Sequence, residues 1–319
     1  MRYKSAAALE MAVKATASAS PMDTGRAVSA FYFRRFLCRV FANGNDSFIL
    51  KGGQAMLART VDARATRDID LLTTGGSLDD ALEELVGLAE IDLGDFVTFE
   101  FAGSRPIKAA DEYRSGLSVR LVPVIGAKRM QQFSIDLVVD EVLLEEAERV
   151  APADRIEVEG LRTCDYLVYP VESALADKFC ALIETHEGRG SSRVKDLVDI
   201  TVYATTCAVS GKKLQRHVCR EVAVRGIGLP SAFDVPEGWG ASHARRFKRL
   251  CAQTKLPAGL ATIDAAGGLA RGLRPRLFGG AGPGLRGRAV GAAGTAVRRP
   301  ALPSVRRPRE FCESSVVVM

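Results

Sequence analysis

The run FILKGGQAMLARTVDARATRDIDLL, from Phe48 to Leu72, leaves the chain few ways to fold. A short apolar stretch meets a glycine pair, Gly52 and Gly53. A short helical pattern follows, then a basic turn with Arg64 and Arg67, then a second apolar stretch holding Asp68 and Asp70. Alternate residues of a strand share a face, so the two carboxylates point the same way, with Cα atoms about 6.5 Å apart. Carboxylates crowded on one face repel each other unless positive charge sits between them. A hard divalent ion meets that need, because it takes oxygen ligands, holds one or two carboxylates and leaves its other positions to water and phosphate. The glycine pair lets backbone N–H groups approach a phosphate at the mouth of the following helix. Taken singly, Asp-Ile-Asp reads as a solvated strand end and Gly-Gly as a turn. Their conjunction, with two arginines between them, points to phosphate chemistry.

The rest of the chain supplies the frame. Residues 5–18 and 23–42 read as helices, the second capped by Asp23, with Phe31, Phe33, Phe36, Leu37 and Val40 as its apolar stripe. Arg34, Arg35 and Arg39 fall on its other faces and read as solvated. Phe48–Leu50 and Asp68–Leu72 read as strands flanking a helix over 53–59, and Ser77 caps a helix to Leu88. Phe96–Phe101, Leu117–Val124 and Phe133–Val139 read as further strands. Asp136 stands amid apolar residues in the last of these, where an acid is costly unless paired or bound to a cation. It is the third candidate metal carboxylate, with Glu100 and Asp140 as weaker ones. After Pro152 and a short extended piece, Ile156–Val158, helices dominate. Leu175, Phe179, Leu182 and Ile183 form one stripe, and Val194, Leu197, Val198 and Val202 another. Asp196 and Asp199 read as a charged helix face, with Lys195 pairing Asp199 at i, i+4. Residues 211–223 and 241–252 read as two more helices, the second basic.

The glycines before a short helix and the Asp-x-Asp on the next strand resemble the active-site layout of the nucleotidyltransferase superfamily. More narrowly, Leu50, Lys51, Gly52, Gly53 and Ala55, then Arg64, Thr66, Asp68, Ile69 and Asp70, resemble the first motif of the AbiEii/AbiGii toxin family. Pro170, Glu172, Ala176, Asp177 and Lys178, then Arg193, Lys195, Asp196 and Asp199, resemble its later motifs. The resemblance covers roughly residues 5–270. It implies an α/β (α+β) chain: a nucleotidyltransferase-fold mixed sheet with flanking helices, then an α-helical C-terminal domain. It implies catalysis by Asp68, Asp70, Lys178 and Asp196; with Asp136 added as the third carboxylate from its place in the strand, Asp68, Asp70 and Asp136 would hold Mg²⁺ or Mn²⁺. Lys51, Gly52, Gly53, Arg67 and Lys178 would bind the nucleotide of an NTP. The implied acceptor is RNA, with the tRNA 3′ end favoured. The implied role is the toxin of a toxin–antitoxin or abortive-infection pair, opposed by a separately encoded antitoxin. Two rivals remain: a superfamily enzyme modifying a small molecule or a protein, and a non-catalytic nucleotide-binding protein.

Composition refines this. The chain of 319 residues holds 44 Lys and Arg against 38 Asp and Glu. Ten arginines and two of the acids fall within 268–319, which leaves 34 basic and 36 acidic residues elsewhere. The high isoelectric point therefore belongs to the tail, and bulk charge gives no argument for nucleic-acid binding. Seven cysteines, odd in number and never spaced C-x-x-C, read as reduced thiols of a cytoplasmic protein. Glu10 and Lys14 interrupt the N-terminal apolar region, so it reads as a helix and not as a signal peptide. No apolar run approaches the ~18 residues of a membrane span. The expected organisation is N-terminal helices (1–45), a nucleotidyltransferase core (46–150), a helical domain (151–267) and a disordered tail (268–319), whose Gly/Pro/Arg-rich composition implies a reading-frame shift near residue 270.

Overall fold

The computed structural model describes residues 3–20, 23–73, 75–107, 115–139, 146–153, 158–186, 188–228 and 233–273. Two helices come first, α1 (Ala6–Ala19) and α2 (Thr24–Val40). The side chains of Ser5 and Asp23 accept from the N–H groups of Ala8 and Arg26, taking up first-turn donors that have no helical partner. β1 (Phe48–Lys51) runs directly into α3 (Gly52–Arg59), and β2 (Ile69–Thr73) returns antiparallel beside β1. α4 (Leu78–Ala89) opens on a capping box between Ser77 and Asp80. Then come β3 (Val97–Pro106), β4 (Gly116–Ile125), β5 (Lys128–Arg129), β6 (Phe133–Val139), β7 (Glu148–Val150) and β8 (Tyr166–Val168). α5 (Val171–Ile183) leads to a small hairpin of β9 (Thr185–His186) and β10 (Arg189–Gly190). α6 (Val194–Thr206), α7 (Gly211–Arg225), α8 (Ala241–Cys251) and α9 (Ile263–Gly272) complete the described chain.

The main sheet has the order β3-β4-β6-β2-β1-β8-β7, with β5 on β4. β2 pairs with β6, and β1 with β8, in parallel; the other pairs are antiparallel. This is the mixed sheet expected. Period-2 alternation gives it one apolar face, on which Leu50, Ile69, Leu71, Ile135 and Leu137 are buried. α2 covers that face, its Phe33 and Phe36 meeting Phe133 and Phe99 edge to face. No helix among the described residues is long and apolar enough to cross a membrane. The six described cysteines are all free thiols.

Three expectations need correcting. Arg34, Arg35 and Arg39 are buried, not solvated. Arg35 Nε donates to Asp95 Oδ2 at 2.6 Å and Arg39 Nη2 to Asp95 Oδ1 at 2.9 Å, so one acid neutralises two cations beneath the sheet. Tyr166–Val168, inside the stretch expected to be helical after its first extended piece, is a sheet strand: Leu50 lies opposite Val168. Asp196 and Asp199 do not form a solvated face, since each side chain is only 1% exposed. Asp140, residues 156 and 157 of the Ile156–Val158 piece, and residues 274–319 of the tail lie outside the described residues.

Candidate active site

The other face of the sheet carries one polar row. Asp70 on β2 lies opposite Lys51 on β1 and, on its other side, opposite Asp136 on β6. Asp136 in turn faces Ser118 on β4, and Ser118 faces Arg105 on β3. Cross-strand partners share a face, with Cβ atoms about 4.5–5.5 Å apart. The row across five strands therefore reads Lys–Asp–Asp–Ser–Arg, two carboxylates at its centre and a cation at each end. Asp68, two residues before Asp70, is exposed at the strand's start. Arg105 reaches the row through a β-bulge: between Phe101 and Ser104 the pairing with β4 slips by one residue. Gly103, inside the bulge, has φ +107°.

The two central acids destabilise each other's charge. Burial raises the pKa of Asp70, and repulsion from Asp136 adds to it, against the pull of Lys178, Lys51 and Lys195. Asp136 is also raised, by burial first; a hydrogen bond from Ser118 and the charges of Arg105 and Lys195 oppose this, while Asp68 adds repulsion. A hard cation between the pair would relieve this strain, taking the two carboxylates and filling its remaining positions with phosphate oxygens and water. The donor set fits such an ion. Among the described residues no three carboxylate, histidine or cysteine groups converge closely enough to enclose a metal unaided. Asp68, Asp70 and Asp136 thus give an adjacent pair with a third acid at the rim, short of a closed trio.

The glycine pair is explained by the same row. Gly52 opens α3 with φ +62°, and a Cβ there would run into Asp70 Oδ2. A Cβ on Gly53 would come within 2.8 Å of Thr66 Cβ. The two halves of the motif interlock, with the carboxylate lying over the first glycine and the threonine over the second. The first N–H groups of α3 have no partner inside the helix and face this mouth. Gly52→Ala should cost about 1–2 kcal/mol, since an L side chain must adopt a left-handed backbone, and should also displace the Asp70 carboxylate. A melting curve and an NTP-binding titration on the same sample check both; a variant with wild-type binding would refute the interlock.

Cations arrive from α5 and α6. Lys178 Nζ lies 2.8 Å from Asp199 Oδ2 and 3.4 Å from Asp196 Oδ1. Arg64 donates through Nε and Nη2 to the two oxygens of Asp199, each at 2.9 Å. Arg193 pairs with Asp196. Burial disfavours the Lys178 charge, but Asp199 and Asp196 more than offset it and hold its pKa high. Burial likewise works against the Asp196 carboxylate, and Lys178 and Arg193 keep its pKa low. Lys178 was expected to point at a triphosphate; its ammonium is instead held inside this ion cluster, with its field reaching Asp70. The expected Lys195–Asp199 pair is absent because Arg64 and Lys178 occupy Asp199. Lys195 is exposed, and its charge reaches Asp70 and Asp136. Lys51 lies 3.2 Å from Asp177 Oδ2 and 4.3 Å from the centre of the Tyr169 ring. Arg67 is exposed beside Asp68. Glu100 is turned away to an exposed pair with Arg129.

The structure therefore gathers Lys51, Gly52, Gly53, Asp70 and Asp136 around one point, with Asp68 and Arg67 at its edge and Lys178 and Asp196 behind. Sequence reasoning missed Arg105 and Ser118. Only their register places them in the row, and no local signal announces the bulge that sets it.

A family model described as nucleotidyl transferase AbiEii toxin, type IV toxin–antitoxin system, matches residues 35–258. Among solved structures the chain is similar to MenT4, a nucleotidyltransferase toxin from Mycobacterium tuberculosis H37Rv. The identity is 13% and the TM-score 0.51, over 84% of this chain and 89% of that one. It is also similar to JHP933 from Helicobacter pylori, at 16% identity and TM-score 0.40, over 79% and 93% of the two chains. No curated protein matches the sequence.

Proposed function

Since the chain belongs to the AbiEii nucleotidyl transferase toxin family of type IV toxin–antitoxin systems, we propose that it moves a nucleoside monophosphate from an NTP to an RNA hydroxyl, the tRNA 3′ end being the acceptor. Membership makes it a nucleotidyltransferase toxin with a nucleotide substrate and an antitoxin partner. The observation that carries the finer reading is the row of two opposed carboxylates with a cation at each end. Asp70 and Asp136, with Asp68 beside them, would hold Mg²⁺ or Mn²⁺, and the ion would neutralise charge building on the α-phosphate and the leaving pyrophosphate.

In this reading the triphosphate rests at the mouth of α3, against the N–H groups of Gly52 and Gly53 and the Lys51 ammonium. Arg67 contacts it from the rim. The acceptor oxygen bonds to the α-phosphorus as the bond to the bridging oxygen breaks, and pyrophosphate departs with that electron pair. The hydroxyl proton passes to the Asp70–Asp136 pair. Lys178, oriented by Asp196 and Asp199, supplies positive potential from behind the phosphates, and Arg105 does so from the far end of the row.

Incubating the protein with total RNA, Mg²⁺ and each labelled NTP in turn tests the proposal. Label should enter tRNA, and Asp68→Ala should remove it. Label confined to a small molecule or a protein, or nucleotide bound without transfer, would overturn the RNA reading.

A further inference from the structure

Helix α8 carries Arg245, Arg246, Lys248 and Arg249, all exposed. At about 100° per residue they occupy one side of the helix, opposite the buried Phe247 and Cys251. None of the four forms an ion pair with an acid among the described residues. This is unlike the cations of the site, most of which are held by acids.

Both ends of α8 are fastened to segments that bear site residues. Ahead of it, Trp239 Nε1 donates to the Ser191 carbonyl at 2.6 Å, two residues before Arg193, the partner of Asp196. The Trp239 ring also stacks on His243 in the first turn of α8, with centroids 5.5 Å apart. Beyond its end, the Lys255 N–H donates to the Asp62 carbonyl at 3.2 Å, two residues before Arg64, the partner of Asp199. Those tethers tie the helix to the two segments that carry the partners of Asp196 and Asp199. Lys195, exposed in the turn that holds Asp196, continues the positive charge toward Asp70 and Asp136. Outside 268–319 acids slightly outnumber bases, so overall charge does not draw in a polyanion, and attraction must be local.

We propose that the basic side of α8 is the surface on which the phosphate backbone of the acceptor RNA docks. This rests on the reading of the site as an RNA nucleotidyltransferase and adds where that RNA lies. Phosphate contacts position a nucleic acid without reading its sequence, and they release counterions, so binding through them weakens steeply with salt.

The test uses the full chain. Its binding to total tRNA is measured over a series of salt concentrations, beside its NTP affinity. The wild type is compared with a variant combining Arg245→Gln, Arg246→Gln, Lys248→Gln and Arg249→Gln. Glutamine keeps helix propensity close to that of Arg and Lys. RNA affinity should fall at least about tenfold at low salt, and the slope of log K against log salt should flatten by about 3, as for four lost phosphate contacts. NTP affinity should not change. Arg249→Glu alone should weaken RNA binding by about threefold or more, which keeps the test decisive if the combined variant misfolds. Unchanged RNA affinity or slope overturns the surface while leaving the reaction untouched. Polyglutamate that displaces RNA equally well, charge for charge, also overturns it, in favour of an acidic protein partner. RNA held through α8 by a wild type that transfers no nucleotide upholds the surface and ends the reading of the reaction.

Discussion

Asp70→Asn should reduce nucleotidyl transfer by about a thousandfold or more while leaving the fold as stable as before, or slightly more so. The loss follows from charge: a carboxylate-held cation stabilises a phosphoryl-transfer transition state by several kcal/mol, and each 1.36 kcal/mol is about tenfold in rate. The stability change follows from the row. Asp70 and Asp136 stand directly opposite each other on neighbouring strands, and burial and repulsion raise both pKa values. Like charges in that position cost roughly 0.2–1 kcal/mol, which an uncharged amide of similar shape removes. Single-turnover kinetics with a melting curve on the same sample separate the two effects. More than about a tenth of wild-type activity in the variant, or a large fall in its melting temperature, would remove Asp70 from the centre of the chemistry. The opposed pair would then be a structural accident.

Asp95→Ala should do the reverse, with a large cost to the fold and little change in activity per folded molecule. Asp95 is buried with Arg35 and Arg39, and it accepts from both. Removing it leaves two guanidinium groups in a closed site against α2, and breaking a buried pair in this way costs about 3–5 kcal/mol. The cost depends on pH. Burial alone would raise the Asp95 pKa, but Arg39 and Arg35 more than reverse that and hold it below the ordinary value. Its contribution is therefore complete above the unfolded carboxylate pKa near 4 and is lost as pH falls through the lower folded value. Urea melts of wild type and variant should differ by the full amount at pH 7, and the gap should narrow below about pH 4. A gap that is constant with pH would mean that the lost volume matters and the charge does not.

The two cases show which parts of this protein are legible in its sequence. β6 could be read from its alternation, β1 and β2 from their short apolar runs, and α3 with them because Gly52, Gly53, Asp68 and Asp70 lie within one short segment. β8 could not, because Tyr166–Val168 spans too few residues for a period and Pro170 makes the stretch look like a helix start. Arg35 and Arg39 looked solvated because charge on a helix is solvated by default; their partner Asp95 is more than fifty residues away. The Lys195–Asp199 pair was the local choice, and Arg64, 135 residues distant from Asp199, took its place. Where the residues that settle a side chain's position are close in sequence, the pattern carries the answer. Where they meet only in the folded sheet, it does not.

The slipped pairing in β3 has a consequence for the evolution of this arm. If the same residues paired one to one with β4 and did not slip, Arg105 would stand opposite Leu117 and project into the apolar layer with Leu137, and no longer beside Ser118. A single-codon deletion at Gly103 would therefore close the bulge and keep Arg105 opposite Ser118, whereas loss of two codons would set Arg105 opposite Val119, in the apolar layer. Length variation here is constrained by the bulge: its extra residue can be lost without moving the row, and a second cannot, so lineages that keep the terminal arginine in place are expected to lose at most one residue between Phe101 and Ser104.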